Sequence, residues 1–334
     1  MSDGGAERQL TFVQALNEAL DEEMARCDDV FLIGEDIALN GGIYKVTEGL
    51  ADKYGSDRVI DSPISEAGIT GMAVGAAMAG SRPVVEIMFG DFLCLAMDQI
   101  INQAAKVRYM SGGKLHVPLV VRTTLGAGRR MAAQHSQSLH AMMAHVPGLK
   151  VVVPSTPEDG KGLLKSSIRD DDPVIFFEDK LSYRRSGPVS SDPDFVVPLG
   201  SARVVVPGED LTIVAISSTV HLAVEAAGLL ASDGRSVEVI DVRTLWPLDT
   251  ATVLESVRKT SRCLVVDEGY LRFGATAEIA SLIAEAAFGH LSAPVRRVAS
   301  MDVPVPFSPE LEDLTRPSTE RIVASARELL EWSN

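Results

Sequence analysis

The apolar residues of this chain fall into short runs separated by longer stretches of helical composition. Runs at Val30–Ile33, Val84–Met88, Val117–Val121, Val151–Val153 and Val174–Phe177 read as buried strands. Stretches around 66–80, 92–107 and 158–168 read as helices. An earlier helix is predicted where Thr11 and Gln14 can form a capping box ahead of Phe12, Val13, Leu16, Ala19, Leu20 and Met24. This alternation predicts a mostly parallel sheet covered by helices on both faces. It pauses over 184–200, a segment rich in turn residues and poor in apolar ones. It then resumes, with strands near 211–216, 236–240, 262–266 and 295–299 and helices near 219–232, 274–287 and 316–332. The expectation is two three-layer α/β/α domains, residues 1–185 and 201–334, joined by a linker at 186–200.

Composition agrees with that picture and narrows the partners. The 334 residues suffice for two domains, and 46% apolar with 23% charged residues is a globular balance. Acidic residues outnumber basic ones 46 to 31, a net charge of -15 that makes nucleic acid and anionic lipid surfaces poor partners. The uncharged small-residue run Ala67–Gly80 is too short to span a bilayer. Met1–Arg8 shows no basic patch followed by an apolar stretch, so the expected location is the cytoplasm. Cys27, Cys94 and Cys263 lie far apart without a Cys or His at ligand spacing, which argues against a disulfide framework or a zinc site.

The first candidate for chemistry is Glu66, in Ser62-Pro63-Ile64-Ser65-Glu66-Ala67-Gly68. Read alone, the segment starts a helix: Ser65 caps it and Glu66 suits the positive end of the helix dipole. Its second reading is a carboxylate set among Ile64, Ala67 and Ile69, able to exchange a proton with a ligand. The glycines and alanines of the helix that follows invite close approach of another backbone, inside the subunit or from a neighbour. His135, in Ala133-Gln134-His135-Ser136-Gln137, follows the carboxyl end of a strand, the edge where open α/β sheets bind ligands. A proton-donor role there stands beside the simpler one of a solvated loop histidine. Gly126-Ala127-Gly128 lacks the third glycine and the opening βαβ unit of a dinucleotide site, and no Gly-x-Ser-x-Gly elbow is present. Asp170-Asp171-Asp172-Pro173 reads as a solvated turn whose oxygens could also hold a hard cation. Asp267-Glu268 reads as a surface or interface pair.

Several motifs taken in order resemble one family. Pro63-Ile64-Ser65-Glu66, the run 104–113, Ala133-Gln134-His135-Ser136-Gln137, the runs 147–152 and 168–173, and 303–309 near the carboxyl end are similar to the beta subunits of the thiamine diphosphate-dependent 2-oxo acid dehydrogenases. That group includes the pyruvate, branched-chain and acetoin enzymes, and the likeness runs from about Leu10 to Leu330.

The resemblance implies a pyrimidine-binding domain followed by a transketolase C-terminal-like domain, in an α2β2 heterotetramer with an alpha subunit. It implies thiamine diphosphate at each α/β contact, the beta chain holding the aminopyrimidine and the alpha chain the diphosphate and Mg2+. The Gly-Asp-Gly motif with a following Asn, which marks the metal-diphosphate half, is missing from this sequence. Glu66 matches the glutamate that protonates the aminopyrimidine and so starts formation of the nucleophilic thiazolium carbon. By the same resemblance Phe92 packs beside the pyrimidine, Met88 and Ile64 shape its pocket, and His135 faces the reacting carbon and the incoming lipoyl arm. Glu35 matches an acidic position on a water-filled path between paired sites. Leu119, Ser167, Ile168 and Asp170, with Asp172 in the same turn, match a potassium site of some members.

The implied function is cleavage of a 2-oxo acid or acetoin and transfer of the acyl group to a lipoyl carrier in a multienzyme complex. Such cleavage leaves an acyl carbanion that no ordinary side chain delocalises, hence the cofactor. Three other readings stay open: a relative that passes a two-carbon unit to a carrier protein, a non-catalytic α/β scaffold subunit, and a stand-alone transketolase-like enzyme, which the missing diphosphate half disfavours. Arg129 and Arg130 are assigned to alpha-chain or solvent contact, with an acidic or phosphate-bearing group as the alternative.

Overall fold

The computed structural model describes residues 8–332, so the reading of Met1–Glu7 as free of a leader lies outside the described residues. In chain order the elements are β1 (Arg8–Thr11), α1 (Phe12–Arg26), β2 (Val30–Gly34), α2 (Leu50–Tyr54), β3 (Val59–Asp61), α3 (Glu66–Met78) and β4 (Arg82–Ile87). A 3-10 turn (Gly90–Ala96) and a π-helical turn (Asp98–Ala104) lead into α4 (Ala105–Met110), where the composition predicted one continuous helix. Then come β5 (Val120–Leu125), α5 (His140–Ala144), β6 (Lys150–Val152), α6 (Pro157–Arg169), β7 (Val174–Asp179) and β8 (Ser186–Val189). The remainder is β9 (Arg203–Val206), β10 (Leu211–Ala215), α7 (Thr219–Ser232), β11 (Val237–Asp241), β12 (Thr244–Trp246), α8 (Thr250–Thr260), β13 (Cys263–Tyr270), α9 (Ala275–Ala286), β14 (Arg296–Ser300), α10 (Pro309–Thr315) and α11 (Thr319–Leu330).

The described residues divide into two units: 8–124 with 146–199, and 125–145 with 200–332. This departs from the expected boundaries in two places. Residues 125–145 belong to the second unit, although they interrupt the first in sequence. The expected linker is ordered structure of the first unit, because β8 pairs antiparallel with β1 and Val197 lies in that unit's core.

In the first unit the strands run β6-β7-β5-β4-β2-β3, and the registered pairs β2–β3, β2–β4, β4–β5 and β6–β7 are all parallel. Helix α1 starts at the expected capping box, Thr11 accepting from the Gln14 amide while the Gln14 side chain accepts from the Thr11 amide. Its face of Phe12, Leu16, Leu20 and Met24 is fully buried in the core with Leu163, Leu164 and Phe176. Helix α6 adds buried Lys161 and Lys165, whose ammonium groups reach Glu18 and Glu22 of α1 at 2.6, 2.8 and 2.5 Å. A Cβ on Gly160 would stand 2.8 Å from the Phe12 ring, so the glycine is what lets these helices close.

The second unit repeats the architecture on a smaller scale, with strand order β14-β13-β10-β11-β9. Three pairs are parallel, and β9 runs antiparallel at the edge. Its core joins Ile213, Val239, Leu264 and Val266 of the sheet to Val220, Ala223 and Leu230 of α7 and to Ile322 and Leu329 of α11. No helix among the described residues is long and apolar enough to cross a membrane.

Candidate functional site

In the first unit, the resemblance-derived residues gather where parallel strands end. Glu35 follows β2, Ile64 and Glu66 follow β3, Met88 follows β4, and Phe92 stands on the turn after it. This carboxyl edge is where doubly wound sheets bind ligands. The helix-start reading of the Glu66 segment rests on Ser65. Ser65 caps α3 by accepting from the Gly68 amide at 3.3 Å, so the cap does not need Glu66. Glu66 itself is 7% exposed.

Glu35 is held near it. Its carboxyl is raised above the ordinary carboxylate range, first by partial burial and then by the negative charges of Glu66 and Asp36. Phe92 meets Phe89 edge to face, ring centres 5.7 Å apart. Met88 is half-buried and its carbonyl accepts from the Thr124 hydroxyl at 3.3 Å. Ile64 is 81% exposed, so within this chain it walls no pocket. It can shape one only against something docked on it.

Beneath this edge lies a buried charge cluster that the sequence reading missed. The Arg122 guanidinium grips Glu178 with two hydrogen bonds of 2.7 and 2.9 Å and Glu86 with one of 2.7 Å. The Tyr183 hydroxyl donates to Glu178 at 2.7 Å and its ring stacks on Tyr44 at 4.3 Å. Burial opposes the arginine charge, yet the two carboxylates outweigh it and hold the guanidinium firmly protonated. The signal was there: charged residues inside three neighbouring apolar strands, Glu86 of β4, Arg122 of β5 and Glu178 of β7, with Glu86 and Arg122 paired in register.

The turn at 170–172 is charge-paired. Lys150 reaches Asp170 at 2.7 and 2.6 Å and Asp172 at 3.3 Å, and Arg108 also pairs with Asp172. Burial works against the Asp172 carboxylate, but Arg108 and Lys150 draw it below its usual range. Arg82 donates to the carbonyls of Ile168 and Asp170 at 3.0 Å each, the Leu119 carbonyl accepts from Val174, and the Ser167 carbonyl accepts from Asp170. These five residues therefore fit poorly as a potassium site, since three cationic side chains already answer the turn's oxygens.

In the second unit, His135 lies half-buried on the loop between β5 and α5. The loop is fastened by carboxylates. Glu268 accepts from the Ala127 amide at 2.5 Å, and Glu312 accepts from the Gly128 amide at 2.7 Å and the Arg130 amide at 3.2 Å. Arg130 also pairs with Glu312 and Asp313 at 2.7 and 2.8 Å inside its own unit, while its side chain stays 38% exposed. Asp267 and Glu268 are 2% and 5% exposed, which corrects the surface-pair reading. Asp267 bonds His140 Nε2 at 2.8 Å.

Burial works against a charged His140, but the Asp267 charge and hydrogen bond prevail and its pKa is raised. A raised folded pKa means that this pair contributes fully below the unfolded histidine value, about 6.5, and is lost as pH climbs through the folded value. The thermal midpoint should therefore decline on raising pH from the histidine range into the alkaline range, and Asp267→Asn should flatten that decline. An unchanged slope in Asp267→Asn would remove the pair from the account.

With this geometry in place, comparison with known proteins is decisive. The transketolase pyrimidine-binding domain pattern matches residues 8–186 and the transketolase C-terminal domain pattern residues 200–322. The mitochondrial pyruvate dehydrogenase E1 component subunit beta-1 of Oryza sativa is 49% identical over 325 residues, 96% of this chain and 87% of its own length. The chain belongs to the beta-subunit family of the pyruvate and acetoin dehydrogenases. Other members include the pyruvate dehydrogenase E1 component subunit beta of Rickettsia felis, 47% identical over 97% of this chain and 99% of its own length. The acetoin:2,6-dichlorophenolindophenol oxidoreductase subunit beta of Bacillus subtilis is 46% identical over 97% and 98%. A solved split-gene transketolase, an inactive β4 tetramer, shares the two-domain fold with a TM-score of 0.79 at 23% identity, covering 96% of this chain and 98% of its own. The family and the fold expected from the sequence motifs are thus those observed.

Proposed function

We propose that this family member is the beta subunit of a thiamine diphosphate-dependent dehydrogenase that cleaves a 2-oxo acid or acetoin and passes the acyl group to a lipoyl carrier. The assembly is α2β2, with the alpha subunit holding the diphosphate and Mg2+. The observation that carries this reading is Glu66: a buried carboxylate at the carboxyl edge of a parallel sheet, in the first turn of α3 and close enough to raise Glu35.

That donor set fits the aminopyrimidine half of the cofactor, with Phe92 and Met88 as apolar neighbours and Ile64 protruding beside them. When bound, the cofactor supplies the electron sink for the acyl carbanion. Glu66 would hold the proton that such a ring exchanges, and its burial would keep bulk water from competing for it. Glu35 stands ready to relay charge on the same edge. His135, on the fastened loop, serves the acyl-transfer step.

Co-production with the alpha partner tests the assignment. Thiamine diphosphate-dependent turnover of pyruvate, acetoin or a branched-chain oxo acid is expected from the assembly and not from the isolated chain. Turnover by the isolated chain would move it to the stand-alone class, and an assembly that binds no cofactor would leave a scaffold. In the same assembly, His135→Ala should slow acyl transfer to lipoamide by about 10²-fold while cofactor affinity stays near parental. Equal transfer rates would take the histidine out of that step.

A further inference from the structure

We propose that Glu312 and Glu268 are positioning residues for the loop that carries His135, an inference that deepens the function above and rests on it. The path of this loop is not one the chain prefers. Gly126 and Gly128 have φ of +90° and +89°, and Arg130 and Ala132 both have +59°. A non-glycine residue in the left-handed region crowds its own Cβ against the backbone, so two of them within three residues require outside support.

The support is electrostatic. Successive main-chain N–H groups in alternating left-handed turns form a concave nest that attracts an anion. Here the nest of Gly128 and Arg130 closes on the protein's own carboxylate, Glu312, which is fully buried in α10. Its neighbour Ala127 donates to Glu268 at the end of β13. Both carboxylates carry a counter-charge: Arg130 for Glu312 at 2.7 Å and Arg316 for Glu268 at 3.2 and 3.3 Å. Downstream, Asp267 holds His140. His135 is thus spanned by two anchors, and the acids that set them come from 127 to 184 residues away in sequence.

Buried carboxylates can also serve stability alone, and the two roles separate in a double-mutant cycle on the assembled enzyme. Glu312→Gln keeps the shape but turns one of the two acceptor oxygens into a donor that faces other donors. Faster amide exchange over residues 126–131 and acyl transfer to lipoamide slowed by about tenfold are expected. In a His135→Ala background the same change should slow transfer by less than about twofold, because the group being positioned is gone. Losses that simply multiply, or a parental rate in Glu312→Gln while His135→Ala is slow, would overturn the proposal. A parental rate in His135→Ala would instead overturn the histidine's role in transfer, and this inference with it. Should Glu312→Gln not accumulate, Arg130→Ala removes a partly exposed counter-charge and is expected to follow the same non-additive pattern with a smaller loss; additive behaviour there would count against positioning.

Discussion

Replacing Glu66 by Gln in the assembled enzyme is expected to lower kcat by about 10²–10⁴-fold, the range that positioned acid–base groups contribute. The substitution separates the two roles that sequence alone leaves open. As a helix-start device, a carboxylate near the positive end of a helix is worth about 0.3–1 kcal/mol. Ser65 already supplies the cap hydrogen bond to Gly68, so even that loss is partial. Removing the charge also relieves its repulsion with Glu35, whose carboxyl should fall back toward its ordinary range. The thermal midpoint is therefore expected to move little and the turnover a great deal. The reverse pattern, a lowered midpoint with kcat within about twofold of parental, would make Glu66 a structural residue and remove the observation on which the functional reading stands. Steady-state assays with lipoamide, paired with calorimetric titration of the cofactor, read both quantities.

Much of the fold was legible because apolar runs and helical spacing recur with little interruption. Val30–Gly34, Val174–Asp179 and Leu211–Ala215 are continuous strands for the reason their composition suggests: both faces are buried, so no polar alternation is needed. Elements held by tertiary contact were not legible. The segment 92–107 has helical composition but opens as a 3-10 and a π-helical turn, and at its head Gly90 lies against the Thr124 carbonyl, where an added Cβ would stand 2.3 Å away. Helix α8 was passed over although Asp249 caps it through the Thr252 amide. The allegiance of residues 125–145 to the second unit depends on Glu268 and Glu312, partners far removed in sequence that no local pattern encodes. The site followed the same division. Local chemistry singled out Glu66 and His135, the resemblance to a family gave them roles, and neither pointed to the acids that hold the loop.

The second large effect is expected from Arg122→Met, which strands two carboxylates in the first unit. Arg122 and Glu178 have side chains 3% and 1% exposed, and Glu86 only 11%. Breaking a buried pair on one side typically costs 3–5 kcal/mol because the remaining charge has lost its partner but not its burial, and here two charges are left in place of one. At roughly 2–4 °C per kcal/mol for a unit of this size, the thermal midpoint should fall by about 6–20 °C. The loss should ease as pH drops, because the orphaned carboxylates can take up protons and burial then no longer penalises them. A triple variant, Arg122→Met with Glu86→Gln and Glu178→Gln, removes all three charges and should recover much of the midpoint, since exchanging a buried ion cluster for neutral groups is often close to neutral. A single variant that loses under about 1 kcal/mol, or a triple variant no better than the single, would mean that the cluster is open to water and does not brace the strand ends that carry Met88 and Thr124. The consequence reaches function through geometry: Glu86, Arg122 and Glu178 sit on β4, β5 and β7, neighbouring strands of the sheet that carries the candidate residues after β2, β3 and β4. Loosening them should raise the cofactor's dissociation constant in the assembled enzyme before it lowers kcat, the opposite order to that expected for Glu66.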